Sequence, residues 1–369
     1  MRYLLQSINY FFPAKGSSFR NWLKIIFLNR TIDLKYYLKV LLVTLLNLIE
    51  APLRFFEWWK LRKTINRTNI NKPPIFIIGH WRSGTTYLHN LLTKDPQFGY
   101  VTTLQAFFPN SFISKNFFKM ITKKSMKETR PGDNVEIDSN SPQEEEFALA
   151  NLFPFGFYNS LYFPKKILLY YFNYGCFKNS IPKFKEIWKE VYNSLLKKAT
   201  LYMGGKRLIL KNPLNTVRIK IILELFPDAK FIHIYRNPYN VYLSIQMIYK
   251  NLLPLFMLHN ITKKKIDYFI INIYYDMMRR YFEQKKLIPK NNLIEIKFED
   301  LEKQPIEILK KIYRELGLIG FENAKQQIKR YLKKIAHYKK NVYSIDQNTR
   351  NKIRKFWNLT ITKWKYNAP

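Results

Sequence analysis

Residues 74–92 read P-I-F-I-I-G-H-W-R-S-G-T-T-Y-L-H-N-L-L: an apolar strand-like run, a turn bounded by two glycines, then apolar residues at helical spacing. Gly79 and Gly84 enclose four residues. That is the spacing of the G-x-x-x-x-G-K-[ST] phosphate loop, in which backbone N–H groups and a helix N-terminus face an anion. The lysine of that pattern is absent. Thr85 and Thr86 follow the second glycine, and the nearest cation, Arg82, lies inside the loop. The stretch therefore predicts an anion site built for something other than ordinary ATP or GTP hydrolysis.

Outward from this loop, short apolar runs at 208–210, 231–235 and 293–296 read as further strands beside 75–78. Helical patterns at 85–92, 217–225, 239–249 and 305–316 separate them. Strands alternating with helices predict βαβ units and a parallel sheet, with ligands at the carboxyl ends of the strands. The expected fold class is α/β, a P-loop-like three-layer sandwich with a central parallel sheet. Residues 1–70 are expected to form a helical, amphipathic leader and 71–369 the α/β domain. A helical insertion occupies about 100–205, and its many aromatic residues read first as core.

The bulk numbers narrow the class. Hydrophobic content of 47% excludes a disordered chain, and 63 Lys plus Arg against 26 Asp plus Glu gives a net charge of +37. Such a field favours anionic partners: nucleotide, nucleic acid, acidic glycan or an anionic lipid surface. The chain is also rich in Lys, Ile, Asn and Tyr throughout, and compositional bias alone gives the same excess. Both readings stay open. The one cysteine, Cys176, excludes an intramolecular disulfide and a cysteine-based zinc site. The histidines at 80, 89, 233, 259 and 337 show no metal-ligand spacing, so no metal is expected.

No signal-peptide pattern opens the chain, and the apolar run 38–49 is shorter than the roughly 18–20 residues of a spanning helix. With P-L-R-F-F-E-W-W at 52–59, it predicts amphipathic helices that dock on the rest of the protein or rest on a membrane surface. The expected location is the cytoplasm, with peripheral contact to the inner membrane through 37–60.

A second motif is F-I-H-I-Y-R-N-P-Y-N-V-Y-L-S at 231–244. A strand ends at Arg236, Asn237-Pro238 turns the chain, and Ser244 falls on the following helix. Arg236 offers a fork of donors and Ser244 a hydroxyl. Together with Arg82-Ser83-Gly84-Thr85-Thr86, the strand end Leu210-Lys211-Asn212-Pro213 and the later Phe298-Glu299-Asp300-Leu301, this order of segments resembles the sulfotransferases. Those enzymes use 3′-phosphoadenosine 5′-phosphosulfate (PAPS). The match spans about 74–301 and is nearest to the broad branch with an S-P-Q-E-x-E segment, here 141–146.

The resemblance implies a PAPS-dependent enzyme that moves a sulfuryl group to a hydroxyl of a carbohydrate or lipid-linked acceptor and releases 3′,5′-ADP. Arg82, Ser83, Gly84, Thr85 and Thr86 are then expected at the 5′-phosphosulfate, with Lys211 approaching the leaving oxygen. Arg236 and Ser244 are expected at the 3′-phosphate, joined by Lys340 from a basic C-terminal segment. Tyr87 and Phe298 take positions near the adenine, where they equally serve plain packing. Sulfuryl transfer has no γ-phosphate to clamp, which explains the missing lysine.

The base implied by the family is a glutamate, Glu144 first and Glu146 second, with His80 a distant third. Ser141, Pro142 and Glu144 also fit a helix capping box. Two other classes remain. A nucleotide or small-molecule kinase needs metal and γ-phosphate ligands, and a non-catalytic basic membrane- or nucleic-acid-binding protein leaves the two site motifs unexplained. No specific nucleic acid is expected as a partner.

Overall fold

A computed structural model describes residues 13–113, 138–336 and 344–367. The chain folds as two compact units: Met1–Ile70, Val101–Gly205 and Ile248–Lys265 form one, Asn71–Tyr100, Lys206–Met247 and Ile266–Pro369 the other.

The second unit holds a five-stranded parallel sheet. Its strands are β1 (Ile75–Ile78), β2 (Phe98–Gly99), β3 (Arg207–Lys211), β4 (Lys230–Tyr235) and β5 (Leu293–Lys297), in the order β2-β3-β1-β4-β5. β1 is wholly buried and β3 and β4 nearly so, which is why they read as unbroken apolar runs. Ile75 pairs with Ile209 on one side and Lys230 on the other, and Ile232 with Ile294. One face of the sheet therefore carries Ile75, Ile77, Ile209, Ile232, Ile234 and Ile296. They pack with helices Thr85–Leu92, Pro305–Glu315 and Phe321–Lys334. The opposite face carries Phe76, His233 and Tyr235, which meet Phe226, Tyr281 and Trp364. This is the expected α/β class with helices over both faces of a parallel sheet.

Predicted and observed elements agree for β1 and for the helix Thr85–Leu92, and within a residue or two for β3, β4 and β5; β2 is not among the predicted strands. The predicted helix 217–225 begins later, at Ile219, because Pro213–Val217 forms a 3₁₀ turn first. The helix after β4 runs further than expected, Pro238–Phe256, with Pro254 in its last turn.

The first unit is helical among its described residues, with no strand longer than an isolated bridge between Thr102 and Pro142. The leader forms helices Phe19–Asn29, Tyr37–Ile49 and Ala51–Arg67. Trp22, Ile25 and Val43 share a core cluster with Tyr162, Phe163, Phe256 and Leu258. Asn21 fixes the first helix by donating to the carbonyl oxygens of Ala150 and Asn151, at 3.3 and 3.0 Å.

Candidate active site

β1 runs into the loop through Gly79, whose φ is +138° and where a Cβ would lie 2.2 Å from the Ile234 carbonyl oxygen. Only glycine fits there. Its N–H donates to Thr216 Oγ1 at 2.8 Å, and that hydroxyl donates back to Gly79 O at 3.2 Å. Inside the loop, Ser83 N and Oγ both donate to His80 O, at 3.2 and 2.7 Å. The Ser83 hydroxyl thus shapes the turn. Gly84, at φ +98°, is the N-cap of Thr85–Leu92, and no side chain caps that end of the helix. Its first N–H groups are the kind that receive an anion.

Three adjacent central strands aim their carboxyl ends at this loop. β1 leads into it, Lys211 is the last residue of β3, and Arg236 directly follows β4. Lys211, buried at 1% exposure, reaches Thr86 Oγ1 at 3.4 Å. Arg82, itself at φ +71°, donates from Nε to Ser244 Oγ at 2.9 Å. Arg236 donates to the Arg82 carbonyl oxygen at 3.3 Å and lies 4.7 Å from the centre of the Phe298 ring. That ring stands edge-on to Tyr87 at 6.4 Å and fills the space where a Gly84 side chain would be. The ten predicted residues Arg82 to Tyr87, Lys211, Arg236, Ser244 and Phe298 thus belong to one unit and surround one loop. Lys340, with His337, lies outside the described residues.

The electrostatics suit an anion. His89 donates from Nε2 to the Ile209 carbonyl oxygen at 3.2 Å, and burial, with the Lys211 charge second, pushes it down to about 3. His80 is pushed down to about 4 by burial, against a bond to the Trp81 carbonyl. Both imidazoles are neutral near pH 7. His233 stacks on Tyr281 at 3.7 Å, with Glu295 3.8 Å away.

Glu144 and Glu146 belong to the other unit. Glu144 is the N-cap of the helix Glu145–Leu152 and accepts a hydrogen bond from the Tyr158 hydroxyl. Glu146 accepts from Phe157 N at 3.1 Å. The capping box at Ser141 does not form. Gln143 N donates to Val101 O at 2.9 Å and Thr103 N to Ser141 O at 2.8 Å, which holds 141–143 in an extended path. Ser141 instead closes a turn with the Asp138 carboxylate.

Two positioning residues went unnoticed in the sequence. Thr216 clamps Gly79, and its signal is the polar run Asn212, Asn215, Thr216 and Arg218, all buried just after an apolar strand. Glu299 takes the Asn237 N–H at 3.0 Å and the Tyr366 hydroxyl at 2.6 Å, fixing the turn that carries Arg236.

With this loop and this sheet, the chain belongs to the sulfotransferase family, whose model matches residues 73–323. It is a sulfotransferase enzyme on a P-loop-like fold. Among individual relatives, it is 31% identical over 352 residues to the omega-hydroxy-beta-dihydromenaquinone-9 sulfotransferase Stf3 of Mycobacterium bovis, covering 95% of this chain and 90% of that protein. The Mycobacterium tuberculosis protein of the same name matches equally. Of solved structures, STF9 of Mycobacterium avium superimposes with a TM-score of 0.63 at 14% identity, over 84% of this chain and 81% of its own. STF1 of Mycobacterium tuberculosis gives 0.59 at 16%, over 84% and 85%. These two likenesses concern the fold.

Proposed function

We propose that the chain transfers the sulfuryl group of PAPS to a hydroxyl of a lipid-linked acceptor met at a membrane surface, and releases 3′,5′-ADP. One observation carries the donor: Arg82 of the first motif touches both Ser244, 162 residues further along the chain, and Arg236 of the second motif. A ligand with anionic groups at two ends fits that pairing better than a triphosphate.

In this reading the loop N–H groups, Arg82 and the Thr85 and Thr86 hydroxyls hold the 5′-phosphosulfate. Arg236 and Ser244 take the 3′-phosphate, and Tyr87 and Phe298 flank the adenine. Glu144, or Glu146, removes the proton as the acceptor oxygen bonds to sulfur. The S–O bond to the phosphate breaks, and Lys211 stabilises the charge left on that oxygen. A lipid-linked acceptor is preferred over a carbohydrate because the full-length relative is named for a hydroxylated dihydromenaquinone.

Calorimetric titration tests the donor. The protein should bind 3′,5′-ADP at least about tenfold more tightly than AMP, and Arg236→Ala should erase the difference. Equal affinities in the unaltered protein would sink the proposal. Labelled-sulfate transfer from PAPS into a lipid extract, but not into soluble glycans, tests the acceptor.

A further inference from the structure

The second and third leader helices are inside out. Tyr37–Ile49 buries Lys39, Val43 and Asn47, and Ala51–Arg67 buries Arg54 and Glu57. Their outward residues are instead Leu38, Leu41, Leu45 and Ile49 on the one, and Phe55, Phe56, Trp58 and Trp59 on the other. Ile49 is 72% exposed and Trp59 64%. A helix on a water-exposed surface shows the reverse polarity.

The buried polar groups make this orientation specific. Lys39 donates to the Leu255 carbonyl oxygen at 2.5 Å. Arg54 meets Glu50 at 3.2 Å and donates to Asn47 O, and Glu57 pairs with Lys198 at 2.6 Å. Turning either helix to hide its apolar face would take from the Leu255 carbonyl oxygen its Lys39 donor and from Lys198 its Glu57 partner. So the exposed apolar residues of both helices stay outward, eight large side chains of the kind that mark a surface that meets something.

We propose that this face docks on an anionic lipid bilayer, lying in the interface and not crossing it. Among the described residues no helix is long and apolar enough to span a membrane. The charges choose the occupant. Asp33, Glu50 and Glu57 are the only acidic residues between 13 and 70, and none of them is exposed. Exposed cations flank these helices in the sequence, Lys24, Arg30 and Lys35 before the apolar residues and Lys60, Arg62 and Lys63 after them. Arg62 lies 4.5 Å from the Trp58 ring centre and Lys60 5.7 Å from that of Phe56.

Exposed aliphatic residues on one helix, aromatic rings beside cations on the next, and no exposed acid match acyl chains, the headgroup level and anionic headgroups in turn. A second copy fits poorly, because a twofold contact places this cationic rim against itself. The docking supplies the setting for the lipid-linked acceptor and rests on that reading for its purpose, but its test is separate.

The full-length protein is floated with vesicles of phosphatidylcholine alone and of phosphatidylcholine mixed with phosphatidylglycerol. It should float with the anionic vesicles and be released by salt. The triple variant Phe55→Ser, Trp58→Ser, Trp59→Ser should lose at least about tenfold in partitioning. Lys60→Glu with Arg62→Glu and Lys63→Glu, which touches no core residue, should abolish the preference for anionic vesicles. Both variants should bind 3′,5′-ADP as the unaltered protein does, which shows that they fold. Protein left in the unbound fraction with both vesicle types, or variants that float unchanged, would overturn the docking. So would a dimer that the aromatic triple variant splits into monomers. Failure of 3′,5′-ADP binding alone would overturn the donor reading and leave the docking standing.

Discussion

Gly84→Ala offers a direct test of how the loop is held. At φ +98° an L-residue costs about 1–2 kcal/mol relative to glycine. The added methyl would also lie 2.2 Å from Phe298 Cδ2, 2.8 Å from Cε2 and 3.1 Å from Cγ. Those are atoms of a rigid ring, so the whole ring has to move, an overpacking cost of about 1–3 kcal/mol. The ring is held by Tyr87 and covered by Arg236, so its displacement reaches the guanidinium. Urea denaturation should show a loss of roughly 2–5 kcal/mol by adding the two costs. Calorimetry should show at least about a tenfold loss of 3′,5′-ADP affinity. A double-mutant cycle with Phe298→Ala separates the causes. Removing the ring relieves the overlap but not the dihedral strain, so the double variant should be more stable than the summed single effects by about 1–3 kcal/mol. Strict additivity, or a Gly84→Ala protein of unchanged stability and affinity, would refute the argument.

Lys211→Ala should lower kcat by roughly 100- to 1000-fold while 3′,5′-ADP affinity, measured by calorimetry, falls much less, because in the proposed mechanism the charge acts on the oxygen that leaves. Glu144→Gln keeps the shape and the Tyr158 contact, so steady-state kinetics should show at least about a 100-fold drop in kcat with the denaturation midpoint nearly unchanged. Glu146→Gln should chiefly lower stability, read in the same urea titration, since it weakens the acceptor for Phe157 N. Burial lowers Lys39 to about 7 and raises Glu50 to about 7. Between pH 7 and about 10.4 the unfolded state binds the extra Lys39 proton, so stability rises with pH there. Between about 4.3 and 7 the folded state holds the extra Glu50 proton, so stability falls as pH rises. Denaturation across pH should therefore find a minimum near 7, and Lys39→Met should remove the rising limb above it.

The parts of the fold legible in the sequence are those whose cause is local. β1 and the helix after it are bounded by glycines that no other residue can replace, and strands buried on both faces announce themselves as unbroken apolar runs. The two-residue strand β2 has no such signal, because Phe98 and Gly99 are a strand only by pairing with Arg207 and Leu208. The same holds at Ser141. Its spacing satisfies a capping box, but long-range bonds to Val101 and Thr103 hold the segment extended, and the helix starts at Glu145. Hydropathy found the leader's apolar run without its direction. Which face turns inward is decided by Leu255 and Lys198, far along the chain, which give Lys39 and Glu57 their partners.

The missing lysine of the phosphate loop shows how a local pattern and a long-range pairing combine. In the familiar pattern the cation follows the second glycine on the helix itself. Here that position is Thr85, and the nearest lysine comes from the neighbouring strand: β1 pairs with β3 so that Lys211 stands opposite Ile77 and reaches Thr86 on the helix. The cation thus enters from the side of the loop and from a buried strand end. Its ammonium is fixed by the sheet register, whereas a helix-borne lysine can follow a mobile γ-phosphate. A charge held in one place suits a reaction whose negative charge develops on one oxygen. Register, rather than motif, then decides where the Lys211 ammonium sits. Shortening the side chain at 211 should therefore cost more in turnover than any single substitution at Thr85, and kcat for Lys211→Ala and Thr85→Ala measured side by side would decide it.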